Sequence, residues 1–255
     1  MKVHLKNRIF STGTIFVLFL ITAFLICNLS GQAVGQAKFK VLIFCKTSGY
    51  HHGIIPQGIA EIAKLGVQNG FDVDATEDST VFTDENLKQY KVIIFNNTTG
   101  NIFGPAQEAA FEKYIRSGGG WVGIHAATDT EYDWKWFDDL LGGAHFKTHP
   151  KQQKATVIVE DKKHPASEML PDKWEITDEL YSFRQSPRAK VKVLASLDEN
   201  TYTGGGMGDH PIIWYSNFDG GRVFYTGLGH TKEVFTSPLY LKSLLGGILW
   251  AAGVK

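Results

Sequence analysis

Ser117-Gly118-Gly119-Gly120-Trp121-Val122-Gly123-Ile124-His125-Ala126-Ala127-Thr128-Asp129 is the stretch that decides the fold. Three consecutive glycines stop the preceding helix, since glycine is the poorest helix former after proline. A short, mostly apolar strand follows and ends on His125, with Asp129 four positions on. An apolar strand entered from a helix is a unit of a parallel α/β sheet. In such sheets ligands bind in the crevice beyond the carboxyl ends of the strands. His125 and Asp129 therefore stand where chemistry is expected.

Working upstream, Val41-Leu42-Ile43-Phe44-Cys45 is a continuous apolar run, the mark of a strand buried on both faces. It opens into the polar loop Lys46 to Gly53, which carries His51 and His52. Pro56 to Asn69 follows a helical period and is closed by Gly70. Phe71 to Ala75 and Val92 to Phe95 read as further strands, the latter leaving through Asn96-Asn97-Thr98-Thr99-Gly100. Pro105 to Arg116 is a helix with proline at its start. The alternation predicts an α/β, flavodoxin-like, mostly parallel sheet with helices on both faces, and right-handed crossovers bring the strand exits to one edge.

Downstream the pattern is less regular. Lys154 to Glu160, Val191 to Leu197, Pro211 to Ser216 and Arg222 to Thr226 read as strands, and Pro238 to Ala252 as a closing helix. Residues 161 to 190 show little periodicity but carry Asp178-Glu179-Leu180-Tyr181. The last strand leaves through Gly227-Leu228-Gly229-His230. With no repeat or linker, residues 38–255 are read as one domain.

Residues 1–37 read differently. Lys2, Lys6 and Arg8 precede a 13-residue apolar run from Ile15 to Cys27, and Gly35-Gln36-Ala37 offers small residues for a signal peptidase. The expectation is an exported protein of the periplasm or cell envelope, cut after Ala37 and left without a stable membrane span; a retained anchor or lipidation at Cys27 are the alternatives. Removing that segment takes three of 26 basic residues and none of 26 acidic ones, leaving 23 against 26 and a net charge of −3. That balance argues against nucleic acid or an anionic membrane as partner. Cys45 is then a lone cysteine in an apolar run and reads as a core residue.

Histidines at three strand exits, His52, His125 and His230, can converge on one crevice. Asp129, Glu179, His145 and His149 lie in segments that could line it. Imidazoles and a carboxylate can exchange protons near neutrality. Two or three histidines with one carboxylate can instead hold a divalent metal such as zinc, manganese or iron. His52, His125, Asp129 and Glu179 are the catalytic candidates, and His149 and His230 the candidate metal ligands. Trp134, Trp136, Tyr181, Asp209 and His210 are candidates for binding a small carbohydrate. For each the plain structural role competes: the tryptophans can be a packed lid, Asp209-His210-Pro211 a turn, and His51 and His164 are read as structural. His145-x-x-x-His149 would share a helix face, but Gly142, Gly143 and Pro150 argue for a loop. A nucleoside triphosphate loop Gly-x-x-x-x-Gly-Lys-Ser/Thr and an esterase Gly-x-Ser-x-Gly elbow are both missing, and Gly118-Gly119-Gly120 precedes a strand where a dinucleotide fingerprint follows one.

Together, His51-His52, Gly118 to Asp129, Trp134-x-Trp136 with Leu141-Gly142-Gly143, His149-Pro150, Asp178-Glu179-x-Tyr181, Asp209-His210-Pro211, and Gly221 to Thr226 followed by His230 resemble the ThuA-like, trehalose-utilisation family. The resemblance runs from about Lys40 to Gly253. It implies a flavodoxin-like fold related to class I glutamine amidotransferases, whose catalytic cysteine stands in a Gly-x-Cys turn. Here Gly123-Ile124-His125 puts a histidine at that turn, so a glutaminase reaction has no nucleophile. The resemblance also implies a role in carbohydrate use, by association with disaccharide catabolism and 3-keto sugars. The resulting expectation is a lyase or hydrolase acting on a sugar or 3-keto-glycoside, with metal assistance as an option. The competing reading is a non-catalytic sugar-binding or accessory module. The oligomeric state stays open, a homo-oligomer included.

Overall fold

A computed structural model describes residues 39–254. The export-signal reading concerns residues 1–37, which lie outside the described residues. Eleven strands and six helices follow in order: β1 (Phe39–Phe44), α1 (Ile55–Asn69), β2 (Phe71–Thr76), α2 (Asp84–Leu87), β3 (Val92–Asn96), α3 (Pro105–Arg116), β4 (Gly120–Ile124), α4 (Lys135–Leu140), β5 (Phe146–Thr148), β6 (Gln153–Val159), β7 (Lys173–Asp178), β8 (Ser182–Phe183), β9 (Lys192–Asp198), β10 (Pro211–Phe218), β11 (Gly221–Thr226), α5 (Lys232–Thr236) and α6 (Pro238–Ala251). Nine strands form one sheet in the order β2-β1-β3-β4-β11-β10-β9-β6-β7; β5 and β8 pair separately. From β2 to β11 every pairing is parallel, and from β11 to β7 every pairing is antiparallel. The α/β class is as expected, with an antiparallel half added where the hydrophobic pattern weakens.

The opening stretch becomes the centre of the sheet. Gly118 adopts φ 93°, which turns the chain out of α3 and into β4. β4 is buried throughout, between β3 on one side and β11 on the other. Gly123 is a packing residue: a Cβ there would come within 2.3 Å of the Trp121 indole, which lies buried against Phe95 and Phe137. Register aligns Asn96, Ile124 and Thr226, so β3, β4 and β11 end at one level. Their exits share one edge, as right-handed crossovers require.

The far half of the sheet curls back to that edge. Asp178, at the end of β7, accepts hydrogen bonds from the backbone N–H groups of Gly229 (2.7 Å), His230 (3.1 Å) and Thr231 (3.1 Å). β7 is the outermost strand, yet its end is latched to the exit of β11. Among the described residues no helix is long and apolar enough to cross a membrane. Cys45 is buried, and burial pushes its thiol pKa up to about 11.

His164 is likewise a core residue. Its ring packs on Tyr215 and Trp250, and its Nδ1 accepts from the Ala166 N–H at 3.1 Å. Burial lowers its pKa from 6.5 to about 4, against a small opposing effect of Asp161. Between those values the unfolded chain carries a proton that the folded one lacks. Stability therefore falls as pH drops from about 6.5 to 4, by up to roughly 3 kcal/mol from this residue. His164→Asn keeps an acceptor for Ala166 but does not titrate. The gap in melting temperature between wild type and variant should narrow or reverse as pH falls from 7 to 4; an unchanged gap would reject the assignment.

Candidate functional site

Four side chains converge where the strand exits meet. His52, His125, Glu179 and His230 each offer a ligand atom, and these atoms all lie within 4.8 Å of one another. The three imidazole centroids form a nearly equilateral triangle with sides of 5.2, 5.3 and 5.2 Å. His52 comes from the loop after β1, His125 from the turn after β4, and His230 from the exit of β11. Glu179 comes from the end of β7 and is carried there by the Asp178 latch.

His125 sits in a strained turn. Its φ is 48°, in the left-handed region that bulky residues avoid. Such strain persists only where the surroundings hold it. The Tyr225 hydroxyl donates to the His125 carbonyl at 2.7 Å and also lies 3.2 Å from Thr128 Oγ1. The Gly227 carbonyl takes the Nδ1–H of His125 at 2.9 Å. A carbonyl can only accept, so Nδ1 carries a proton, and Nε2 is the atom turned toward the centre. Nε2 lies 3.3 Å from Glu179 Oε2, within hydrogen-bonding distance.

Nδ1 of His230 is 3.3 Å from the same carboxylate oxygen but makes no well-directed hydrogen bond to it. His52 Nδ1 is buried with no hydrogen-bonding partner in the protein. Burial, with His125 and His230 alongside, pushes the His52 pKa down to about 3. His230 is lowered too, by burial first and then by His125. Burial alone would raise Glu179, but its hydrogen bond to His125 and the three surrounding imidazoles outweigh that and lower it. Three imidazoles around one carboxylate form a donor set that a cation completes. Nitrogen donors with one oxygen suit zinc, manganese or iron(II). Ligands about 2.1 Å from one zinc in a tetrahedron stand about 3.4 Å apart, so closure on an ion takes side-chain shifts on the order of an ångström.

Around this floor stand Tyr50 and His51 on one rim and His149, Phe146 and Tyr181 on the other. The Tyr181 ring lies 4.0 Å from that of His125, between centroids. His149 is 39% exposed, with Nδ1 3.2 Å from Glu179 Oε1. Of the two expected metal ligands, His230 belongs to the converging group and His149 stands just outside it. His52 and His125, expected as catalytic groups, lie in the same group with Glu179. His145 and His149 flank β5 and share no helix face.

Other candidates are not brought to the centre. Asp129 accepts from the Tyr132 hydroxyl at 2.5 Å and lies outside the four-residue group. Trp134 is sandwiched between Trp136 and Phe137, and its Nε1–H goes to Glu112 on α3. Trp136 packs edge-on against Phe111 and Phe218 and donates to Asp219 at 2.8 Å. Both indoles have their N–H occupied and pack against neighbouring rings, the arrangement of the packed lid that the sequence offers as one reading. Asp209 is engaged by Arg188 at 2.6 Å, which also grips Glu160. His210 is buried, with Nε2 on the Tyr181 carbonyl and Nδ1 2.8 Å from both Tyr202 and Glu199, so it supports Tyr181 from behind. Tyr50, Asp178 and Tyr225 matter to the site and were not singled out from sequence. Asp178 stands beside Glu179 in sequence and Tyr50 in the loop that carries His52, but only the fold shows what they reach.

The family described as ThuA, trehalose utilisation, matches residues 40–251. A ThuA-like protein from Bacteroides uniformis is 32% identical, with a TM-score of 0.76, over 85% of this chain and 92% of that one. A ThuA-like protein from Parabacteroides merdae is 22% identical, with a TM-score of 0.69, over 85% of this chain and 91% of that one. A β-galactosidase from Bacillus circulans is 13% identical, with a TM-score of 0.55, over 86% of this chain but 32% of its own length, a likeness of fold alone. Among curated proteins none matches.

Proposed function

From the premise that the chain belongs to the ThuA, trehalose-utilisation family, we propose that it is an exported, metal-assisted enzyme acting on a sugar or 3-keto-glycoside. The observation that carries this reading is the convergence of His52, His125, Glu179 and His230 at the strand exits. A bound divalent ion would supply Lewis-acid polarisation of a carbonyl or of a water there. The protein's own groups do the rest. Gly227 holds the Nδ1–H of His125 so that Nε2 faces the centre, and Tyr225 pins its backbone carbonyl. Glu179 joins the centre to the rim, because its two oxygens face His125 and His149. His149, partly exposed and 3.2 Å from Glu179, is placed to take the acidic hydrogen next to a ketone and to return a proton to a departing glycosidic oxygen. The resemblance to amidotransferases implies a thiol at the turn that His125 occupies here, so the reaction proposed is not a glutaminase.

Incubating the purified protein with a panel of disaccharides and their 3-keto derivatives, with and without chelator, tests the reading. The expected result is turnover of a keto-glycoside that stops on chelation and returns with added metal. Tight binding of an unmodified glycan with no product over long incubation would replace it with the accessory-module reading.

A further inference from the structure

We propose that Tyr50 is a stacking platform that selects a ligand with a flat apolar ring face, a pyranose, and holds it against the histidine–glutamate centre. The inference rests on the reading of that centre as a substrate site and names what the rim recognises. Tyr50 is 67% exposed, while the other rings at the rim are packed on one another. Its ring meets that of His52 in a T-shaped contact, at 4.8 Å between centroids and 85° between planes. A ligand lying on the Tyr50 face is therefore in reach of a residue of the centre itself.

An exposed tyrosine on a loose loop would carry little meaning, because it could fold down onto any apolar surface. This loop is stitched in place. Ser48 N–H donates to the Thr99 carbonyl at 2.7 Å, and the Ser48 hydroxyl to the Asn101 carbonyl at 2.7 Å. The Thr99 hydroxyl donates to the Tyr50 carbonyl at 2.9 Å. On the other side of Tyr50, His51 Nδ1 lies 3.1 Å from Thr47 Oγ1, closing the loop on itself. The backbone under Tyr50 is thus fixed to the exit of β3, and the exposed ring starts from an anchored position beside His52. Pre-organisation of this kind removes an ordering cost from binding. Aromatic rings present a large contact area at low entropy cost and a negative face that attracts the polarised C–H groups of a pyranose. The covered indoles of Trp134 and Trp136 cannot serve in this way, which leaves Tyr50 as the free ring beside the centre among the described residues.

The test uses the full chain and its Tyr50→Ala and Tyr50→Trp variants, with methyl α-glucopyranoside and its 3-keto derivative as probes. Zinc binding is titrated in parallel. Wild type is expected to bind at least one probe. Tyr50→Ala should weaken that binding at least tenfold, Tyr50→Trp should restore it, and zinc affinity should be the same in all three. Equal probe binding by wild type and Tyr50→Ala would overturn the platform while leaving the metal centre standing. Failure of wild type to bind either probe, with zinc binding intact, would also overturn it. Loss of zinc binding in wild type would instead count against the centre.

Discussion

Saturating zinc or manganese should raise the melting temperature by roughly 5–10 °C, and chelator should reverse the shift. A ligand at 100 times its dissociation constant stabilises the folded state by about 2.7 kcal/mol, and about 1 kcal/mol moves the melting point of a domain of this size by roughly 2–4 °C. The gain is specific to the folded chain. His52, His125 and His230 come from three separate loops, and Glu179 comes from the end of an outer strand, so the unfolded chain offers no comparable site. The melting curve is measured with zinc, manganese and iron(II) in turn. No shift with any of the three would remove the metal from the proposed reaction and leave acid–base chemistry alone.

The second large effect is expected at His125. Asparagine is several-fold enriched in the left-handed region that this residue occupies, so His125→Asn keeps the turn and removes the Nε2 donor. Metal affinity should fall by at least about 100-fold, since removing even the groups that orient a ligand costs 10–100-fold. Turnover should disappear with it. Without metal, the melting temperature should move by only a few degrees: lost packing against Tyr181 is offset by relief of backbone strain worth about 1–3 kcal/mol. Calorimetric metal titration and thermal unfolding on the same samples separate the two roles. A variant that unfolds readily yet still binds metal would make His125 a core histidine.

The parallel half of the sheet could be read from sequence because its strands are continuous apolar runs bounded by glycine, as in Val41 to Cys45 and Trp121 to Ile124. That pattern is what burial on both faces requires. The antiparallel half was harder. β7 reads Lys-Trp-Glu-Ile-Thr-Asp, where only Trp174, Ile176 and Asp178 are buried, and it is preceded by an irregular segment. So short an alternation does not stand out. His52, His125 and His230 could be grouped from their positions at strand exits, since topology gives those a common destination. The reach of Glu179 could not be inferred, because it depends on an outer strand folding back through Asp178. Whether the aromatic pair Trp134 and Trp136 forms a packed lid or a sugar platform is not legible in the sequence for a related reason. Composition shows that a ring is present, but not whether Phe137, Phe111 and Phe218 cover it.

The Asp178 latch has a consequence for how the molecule breathes. Outer strands are where sheets open first, and here one such strand delivers the carboxylate of the centre. Each opening of the β7 end that releases Asp178 also withdraws Glu179 and unseats the backbone of His230. Occupancy of the centre and closure of the sheet's outer edge therefore draw on the same free energy. A ligand bound between the histidines is therefore expected to hold the margin of the sheet as well, and slower amide exchange along β7 on its addition is the measurement that checks it.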